Sequence, residues 1–278
     1  MKQFFNKTIK TQHLVIFLLF CVYSLGYGQI KLEANGKGKT YELINSVLIN
    51  EKKIAVEVPD CSHEDFGRHI SEKFDSDLNK YVFEFIIHIK NDNDRCKKTN
   101  RQRNEIKATK KSNEIILAKE GEKLNYKWKF KLEEDFQVSK SYTDLHQIRY
   151  HKEDGNEPLF IFTAKKRKGE PKFEVVYIKN GEKEILQSIK LSKLTNQWIL
   201  AEETISYAKN GTYSLILKTL DGNLILKIEN NNIQTWFETM NYAIPKWGIY
   251  RSLKHADQLK DEKVYFADFE INNLKIDK

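Results

Sequence analysis

Lys246, Gly248 and Tyr250 occupy alternate positions of the stretch Pro245–Ser252 (PKWGIYRS). On an extended strand that spacing aims all three at one face and Trp247, Ile249 and Arg251 at the other. A glycine between a lysine and a tyrosine leaves an open, basic floor on which a polymer can lie. A phenol among cations can move protons, because nearby positive charge favours its ionised form. An ordinary strand with a bulge at Gly248 would account for the same octapeptide.

Two more segments offer partners for such a phenol. In Arg101-Gln102-Arg103-Asn104-Glu105-Ile106-Lys107, alternation gathers Arg101, Arg103, Glu105 and Lys107 on one face. Arg103 and Glu105 can fix each other's orientation while a guanidinium fork grips a substrate carboxylate. An exposed edge strand laced with ion pairs has the same composition. In Leu145-His146-Gln147-Ile148-Arg149, Gln147 offers an amide and Arg149 a charge to one pocket, while His146 and Ile148 point the other way. That suits a satisfied core histidine, unless a bulge reorients His146. Oxygen ligands at alternate positions of Asn91-Asp92-Asn93-Asp94 would suit a structural calcium. No glycine and distal glutamate complete a calcium loop there, so a turn is the simpler reading. No His/Cys spacing resembles a zinc site, and no metal is expected.

The elements that must position these residues read as strands bounded by turn residues. Candidates are Tyr81–Lys90, Asn104–Thr109, Leu124–Leu132, Asp144–Tyr150, Leu159–Ala164, Phe173–Lys179, Gln197–Ser206, Tyr213–Thr219, Leu224–Glu229, Lys246–Ser252 and Val264–Leu274. Helical periodicity is nearly absent. Asn180-Gly181, Asn210-Gly211 and Asp221-Gly222 are hairpin signals. Only four prolines and no Ser/Pro-rich linker interrupt the pattern. The chain after residue 28 therefore reads as one all-β domain over 29–278, an antiparallel β-sandwich of the concanavalin-like jelly-roll type.

Lys2, Lys7 and Lys10 precede an apolar run from Leu14 to Leu25 that ends in Gly26-Tyr27-Gly28. This is the order of a secretory signal peptide over residues 1–28, and the run is short for a membrane span. Bulky Phe20 before Cys21 argues against lipid anchoring. Cleavage lowers the net charge from +8 to (47 − 3) − 39 = +5. A basic, monomeric, secreted or periplasmic protein with an acidic polysaccharide as partner fits this balance, whereas export argues against nucleic acid. Lys165-Lys166-Arg167-Lys168 and Lys97-Lys98 suit densely carboxylated or sulfated chains. Cys61 and Cys96 remain as an even pair in an oxidising compartment, which predicts a disulfide.

Taken in order, RQRNEIK, YKWKFKL, HQIR, PLFIFTA, NQW, PKWGIYRS and VYFADFEI resemble the jelly-roll polysaccharide lyases of the heparinase I, glucuronan lyase and alginate lyase kind, from about Tyr81 to Ile271. The resemblance implies a catalytic Tyr250 supported by Lys246, an Arg-x-Glu pair at Arg103 and Glu105, and a carboxylate-binding amide at Gln147. Alginate-lyase-like members carry Gln-x-His, and that histidine position is Arg149 here. His146 looks more like the glucuronan lyase arrangement, so a catalytic histidine would be His146 or His88.

The implied reaction is β-elimination at a 4-linked uronate. Removing the C5 proton requires the carboxylate to be neutralised, for which Gln147 with Arg103 or Arg149 is suited and Arg101 is a further contact. Tyr250 can act as base and acid when the C5 proton and O4 lie on one face of the sugar. A histidine takes the base role when they lie on opposite faces. No organic cofactor is needed. Two other readings use the same sandwich. One is a non-catalytic carbohydrate-binding module with Trp198, Trp236 and Trp247 as stacking platforms. The other is a glycoside hydrolase, for which no strand shows the paired carboxylates.

Overall fold

Apolar residues at alternate positions, repeated over short segments, can be buried together only if the segments pair into sheets whose apolar faces meet. The computed structural model describes residues 28–50 and 54–274 and shows this outcome. In chain order the elements are β1 (Gln29–Leu32), helix α1 (Thr40–Leu48), β2 (Val56–Glu57), β3 (Ile70–Asp75), β4 (Lys80–Ile87), β5 (Arg101–Lys107), β6 (Lys123–Leu132) and β7 (Thr143–Lys152). They continue with β8 (Gly155–Arg167), β9 (Glu170–Lys179), β10 (Glu182–Lys190), β11 (Trp198–Ser206), β12 (Gly211–Thr219), β13 (Leu224–Ile233), β14 (Tyr242–Ser252) and β15 (Glu262–Leu274).

The first sheet runs β13-β12-β11-β6-β15-β4-β3, with β1 also paired to β15. The second runs β10-β9-β8-β7-β14-β5-β2. Both are antiparallel, and together they form a jelly-roll sandwich. Strand β6 shows why the sheets stack. Leu124, Tyr126, Trp128, Phe130 and Leu132 are buried on its inner face, while Lys127, Lys129 and Lys131 point out. Trp128 meets Trp247 of the facing sheet with ring centroids 5.9 Å apart. Each such side chain contributes roughly 1.5–3 kcal/mol through removal from water.

Burial also decides the fate of the sugar platforms considered from sequence: Trp198, Trp236 and Trp247 are all buried. The short helix α1 departs from the expectation of almost no helix. It buries Thr40, Ile44 and Leu48 along one stripe, and nine residues give too few turns for that period to stand out. Edge strand β10 has mostly exposed residues and so lacks the alternation that marks a half-buried strand. Asn180 and Gly181, with φ of 51° and 82°, make the tight turn from β9 to β10. Cys61 and Cys96 are joined by a disulfide that ties the turn Asp60–Ser62 to the loop before β5. The leader expected over residues 1–28 lies outside the described residues, apart from Gly28. Among the described residues, no helix is long and apolar enough to cross a membrane.

Candidate active site

Strand β14 lies between β5 and β7, so its outward side chains are flanked by theirs. Tyr250 stands opposite Arg103 on β5 and Asp144 on β7; Lys246 stands opposite Lys107 and Gln147. Two cavities open over this surface, of about 410 Å³ and 480 Å³, and Arg101, Arg149 and Tyr250 line both. They form two halves of one groove with Tyr250 at the middle. Asp144, Gln147, Thr163, Lys165 and Lys183 belong to one half. Glu57, Asp94, Arg95, Arg103 and Lys246 belong to the other.

The floor depends on Gly248, whose φ is +143°. A Cβ there would sit 2.2 Å from the Asn104 carbonyl oxygen and 2.6 Å from the Glu105 Cα, both backbone atoms that cannot step aside. Only glycine lets β5 approach β14 so closely. Gly248→Ala should therefore cost about 3 kcal/mol or more in urea unfolding. An unchanged midpoint would show that the two strands are not held at this separation.

Gly248 and Ile249 together oppose Leu145, because the register passes from Trp247–His146 to Tyr250–Asp144. On its other edge β7 is irregular at the same place, with Leu145 the extra residue between the Asp144–Thr163 and His146–Phe162 pairs, and this bulge in β7 has a chemical consequence. Strict alternation from Gln147 would turn Asp144 inward, whereas here Asp144 joins Gln147 in the groove.

The Tyr250 hydroxyl accepts a hydrogen bond from Arg101 Nη1 at 2.9 Å, a contact that raises the Arg101 pKa further. The Arg103 guanidinium lies 3.8 Å from the centre of the Tyr250 ring, and the Tyr142 ring lies 5.2 Å from it. The phenol is thus clamped between two cations and a second phenol. Burial, with the neighbouring Tyr250, pushes Tyr142 well above its ordinary value.

Beside the tyrosine, an ionic network ties down the remaining charges. Lys246 Nζ donates to Glu57 Oε2 at 2.6 Å and Glu105 Oε2 at 2.7 Å. Lys107 and Arg95 also bind Glu57, and Arg103 binds Glu105 and Asp94. Burial alone would raise the Glu57 carboxyl, but Lys246, Lys107 and Arg103 hold it well below the usual carboxylate range. Arg103 is therefore committed to Glu105, Glu57 and Asp94 and does not offer the free fork expected of it. Lys246 likewise contacts the two glutamates rather than the phenol, so its support of Tyr250 is indirect.

Arg149 is different. Its guanidinium donates to Gln147 Oε1 at 3.0 Å and to the Asn156 carbonyl at 2.6 Å, and burial lowers its pKa. Among the described residues, Arg101 and Arg149 are the groove guanidiniums without a carboxylate partner, and they flank Tyr250. Gln147 Nε2 stands 3.4 Å from Asp144 Oδ2 and from Glu105 Oε1. Burial pushes the Asp144 carboxyl up to about 7, against a hydrogen bond from Thr163 and with help from the Glu105 charge. The sequence reading missed Asp144, because its place in the groove depends on a bulge that alternation does not reveal.

Neither candidate histidine reaches the groove. His146 is buried between the sheets, where Nδ1 meets the Lys246 carbonyl at 2.8 Å and Nε2 meets Glu203 at 2.9 Å. The Trp128 ring lies 4.5 Å from it. This corrects its assignment as a catalytic base: the bulge reorients Asp144, not His146. His88 lines neither half of the groove and packs at the far end of β4 against His63, His69 and Phe66. The calcium reading of Asn91–Asp94, already the weaker one there, is not supported either. Asp92 turns to the histidines and Asp94 to Arg103 and Arg95, so their carboxylates do not converge.

A family model described as polysaccharide lyase matches residues 83–270 of the 278. Among solved structures, this chain is similar to an endo-β-1,4-glucuronan lyase from the fungus Trichoderma reesei, with 15% identity and a TM-score of 0.50 over 74% of this chain and 87% of that one. It is also similar to a PL-14 alginate lyase from Aplysia kurodai, with 10% identity and a TM-score of 0.58 over 88% and 98%. A family 7 alginate lyase in complex with a substrate shares 11% identity and a TM-score of 0.54 over 80% and 93%. No curated protein matches the sequence.

Proposed function

Since the chain belongs to the polysaccharide lyase family, we propose that it cleaves a 4-linked uronate polymer by β-elimination at Tyr250, in an exported compartment. The observation that carries this reading is the placement of the phenol. It sits at the middle of an open groove, hydrogen-bonded to Arg101 and flanked by Arg149 and Gln147. Arg149 and the Gln147 amide neutralise the uronate carboxylate, so that charge from the C5–H bond can flow onto it. The Tyr250 oxygen, held in place by the hydrogen bond from Arg101, takes the C5 proton. As the C4–O4 bond breaks, the same hydroxyl returns a proton to O4. The product carries a C4–C5 double bond.

A single acid–base group can serve both atoms only from one face of the sugar. In glucuronate and mannuronate the C5 proton and O4 share a face, and in guluronate and iduronate they do not. The described groove contains no histidine to act from the opposite face, which favours glucuronate or mannuronate chains. A net charge of (47 − 3) − 39 = +5 after export suits such a polyanion, as do Lys165, Lys183, Lys97 and Lys98 along the groove. The test is the ultraviolet absorbance of unsaturated uronate released from glucuronan, polymannuronate, polyguluronate and heparin. A rise with either of the first two and none with polyguluronate is expected. Cleavage of polyguluronate at an equal rate would overturn the one-face reading.

Asp144 makes the groove sensitive to pH. Its carboxyl is neutral below about 7 and anionic above. KM for the uronate should therefore rise several-fold between pH 6 and about 8, and Asp144→Asn should flatten that rise. Stability carries the same sign. The folded-state pKa lies above the ordinary 3.8, so the contribution is full below about 4 and lost as the pH rises through about 7. At pH 8, Asp144→Asn should be more stable than the parent by up to about 4 kcal/mol. Glu262, also pushed up to about 7 by burial, leaves a residual slope in the same window. Thermal unfolding across that range checks both statements.

A further inference from the structure

On the inner side of β5, away from the groove, His63, His69, His88 and Asp92 converge. One donor atom from each lies within 4.8 Å of all the others. We propose that these four side chains bind a zinc ion that braces the loop carrying Asp94 into the groove. Three imidazoles and a carboxylate are a borderline-soft, nitrogen-rich set that suits Zn²⁺ and does not suit calcium or magnesium.

The geometry is that of a site with its surroundings already in place. Asp92 Oδ1 lies 3.1 Å from His63 Nδ1 and 3.0 Å from His69 Nε2, and Oδ2 lies 3.3 Å from His88 Nδ1. The other nitrogen of His69 is 2.8 Å from Asp60 Oδ1, and Asp60 in turn accepts from the Tyr41 hydroxyl at 2.9 Å. A carboxylate that fixes the far nitrogen of a ligating histidine is the usual outer partner of a zinc site, since it sets the ring's tautomer and direction. Asp92 and His69 have no side-chain exposure, while His63 and His88 are 16% and 20% exposed. Donors around tetrahedral zinc stand about 3.4 Å apart, so the cluster must close by roughly 1 Å. The two part-exposed rings are the ones free to move. Phe66 packs on all three histidines, with centroids 4.3–5.3 Å away, and shields the site on one side.

The site's frame is shared with the groove. Gln102 Nε2, on the inner face of β5, donates to the carbonyls of His88 and Asp92 at 2.6 and 2.9 Å, and Asn104 Nδ2 donates to that of His69 at 2.8 Å. The Cys61–Cys96 disulfide ties the turn that carries Asp60 to the loop after Asp94. Asp94, two residues after Asp92, holds Arg103 over Tyr250. Zinc would therefore act on the groove by stiffening this loop, without touching substrate. In sequence the donors are scattered as His-x5-His and His-x3-Asp, 19 residues apart at the join, so no compact motif announces them.

The test uses the full chain purified without a histidine tag. Stripped protein should take up one equivalent of zinc against a chromophoric chelator, and zinc should raise its unfolding temperature. With cobalt it should show the visible bands of a tetrahedral nitrogen–oxygen site. Asp60→Asn, which keeps all four donors, should weaken zinc binding about 10–100-fold. His63→Ala and His88→Ala, at part-exposed positions, should abolish stoichiometric binding while the protein stays folded by circular dichroism. Absence of stoichiometric zinc in the parent chain would overturn the proposal. So would zinc uptake unchanged in both folded histidine variants. Activity is not the readout, so failure of this site and failure of the lyase mechanism are separable.

Discussion

Tyr250→Phe should lower kcat by about 10²–10⁴-fold on the cleaved polymer while KM stays within a few-fold, because the lost group moves protons and contributes little to ground-state binding. The variant is clean. Phenylalanine keeps the ring under the Arg103 guanidinium and against Tyr142, and removes only the oxygen that accepts from Arg101. Initial rates of ultraviolet absorbance on one polymer, with the fold checked by circular dichroism, measure the effect. Tyr142→Phe is the matching control. Tyr142 also lines the groove, but burial raises its pKa and makes it a poor base, so its loss should cost far less. If Tyr250→Phe retained its rate and Tyr142→Phe lost it, the proton-transfer role would pass to Tyr142. If both retained it, elimination at this phenol would be wrong.

How far this site could be read in advance depended on which features obey the two-residue period. Lys246 and Tyr250 on β14, Arg101, Arg103 and Glu105 on β5, and Gln147 and Arg149 on β7 follow plain alternation, and the fold sets them around one groove. Asp144 escaped because β7 bulges at Leu145, which breaks its alternation between Asp144 and Gln147, and periodicity holds no record of where a bulge falls. Glu57 comes from a two-residue strand too short to have a pattern. His146 was a candidate because of its neighbour Gln147, yet adjacent residues on a strand face opposite ways, and burial against Trp128 and Glu203 settles its role. Pairings between distant segments were illegible for a further reason. Nothing local states that Arg103 will be shared by Glu57, Glu105 and Asp94, and that sharing leaves Arg149 rather than Arg103 open to a substrate.

Lys246 tests whether that shared network is scaffold or chemistry. Its ammonium is buried between Glu57 and Glu105, so Lys246→Met leaves two carboxylates facing each other with less positive charge between them. Removing one partner from a buried ion cluster typically costs about 3–5 kcal/mol, most of it from the charge left uncompensated. Urea unfolding should therefore show a loss of that size. The double variant Lys246→Met/Glu57→Gln removes one of the stranded charges and should recover a large part of it. Lys107 and Arg95 lose only their pairing with Glu57 and lie nearer to water, at 25% and 32% side-chain exposure, so they can be resolvated at little cost. Without that recovery, the cost would come from lost packing of the lysine stem rather than from charge. Kinetics separate the roles further. Lys246 does not contact the Tyr250 hydroxyl, so the double variant should keep its kcat within about 10-fold, well short of the Tyr250→Phe loss. A double variant that is stable yet as inactive as Tyr250→Phe would move Lys246 from the scaffold into the proton-transfer machinery.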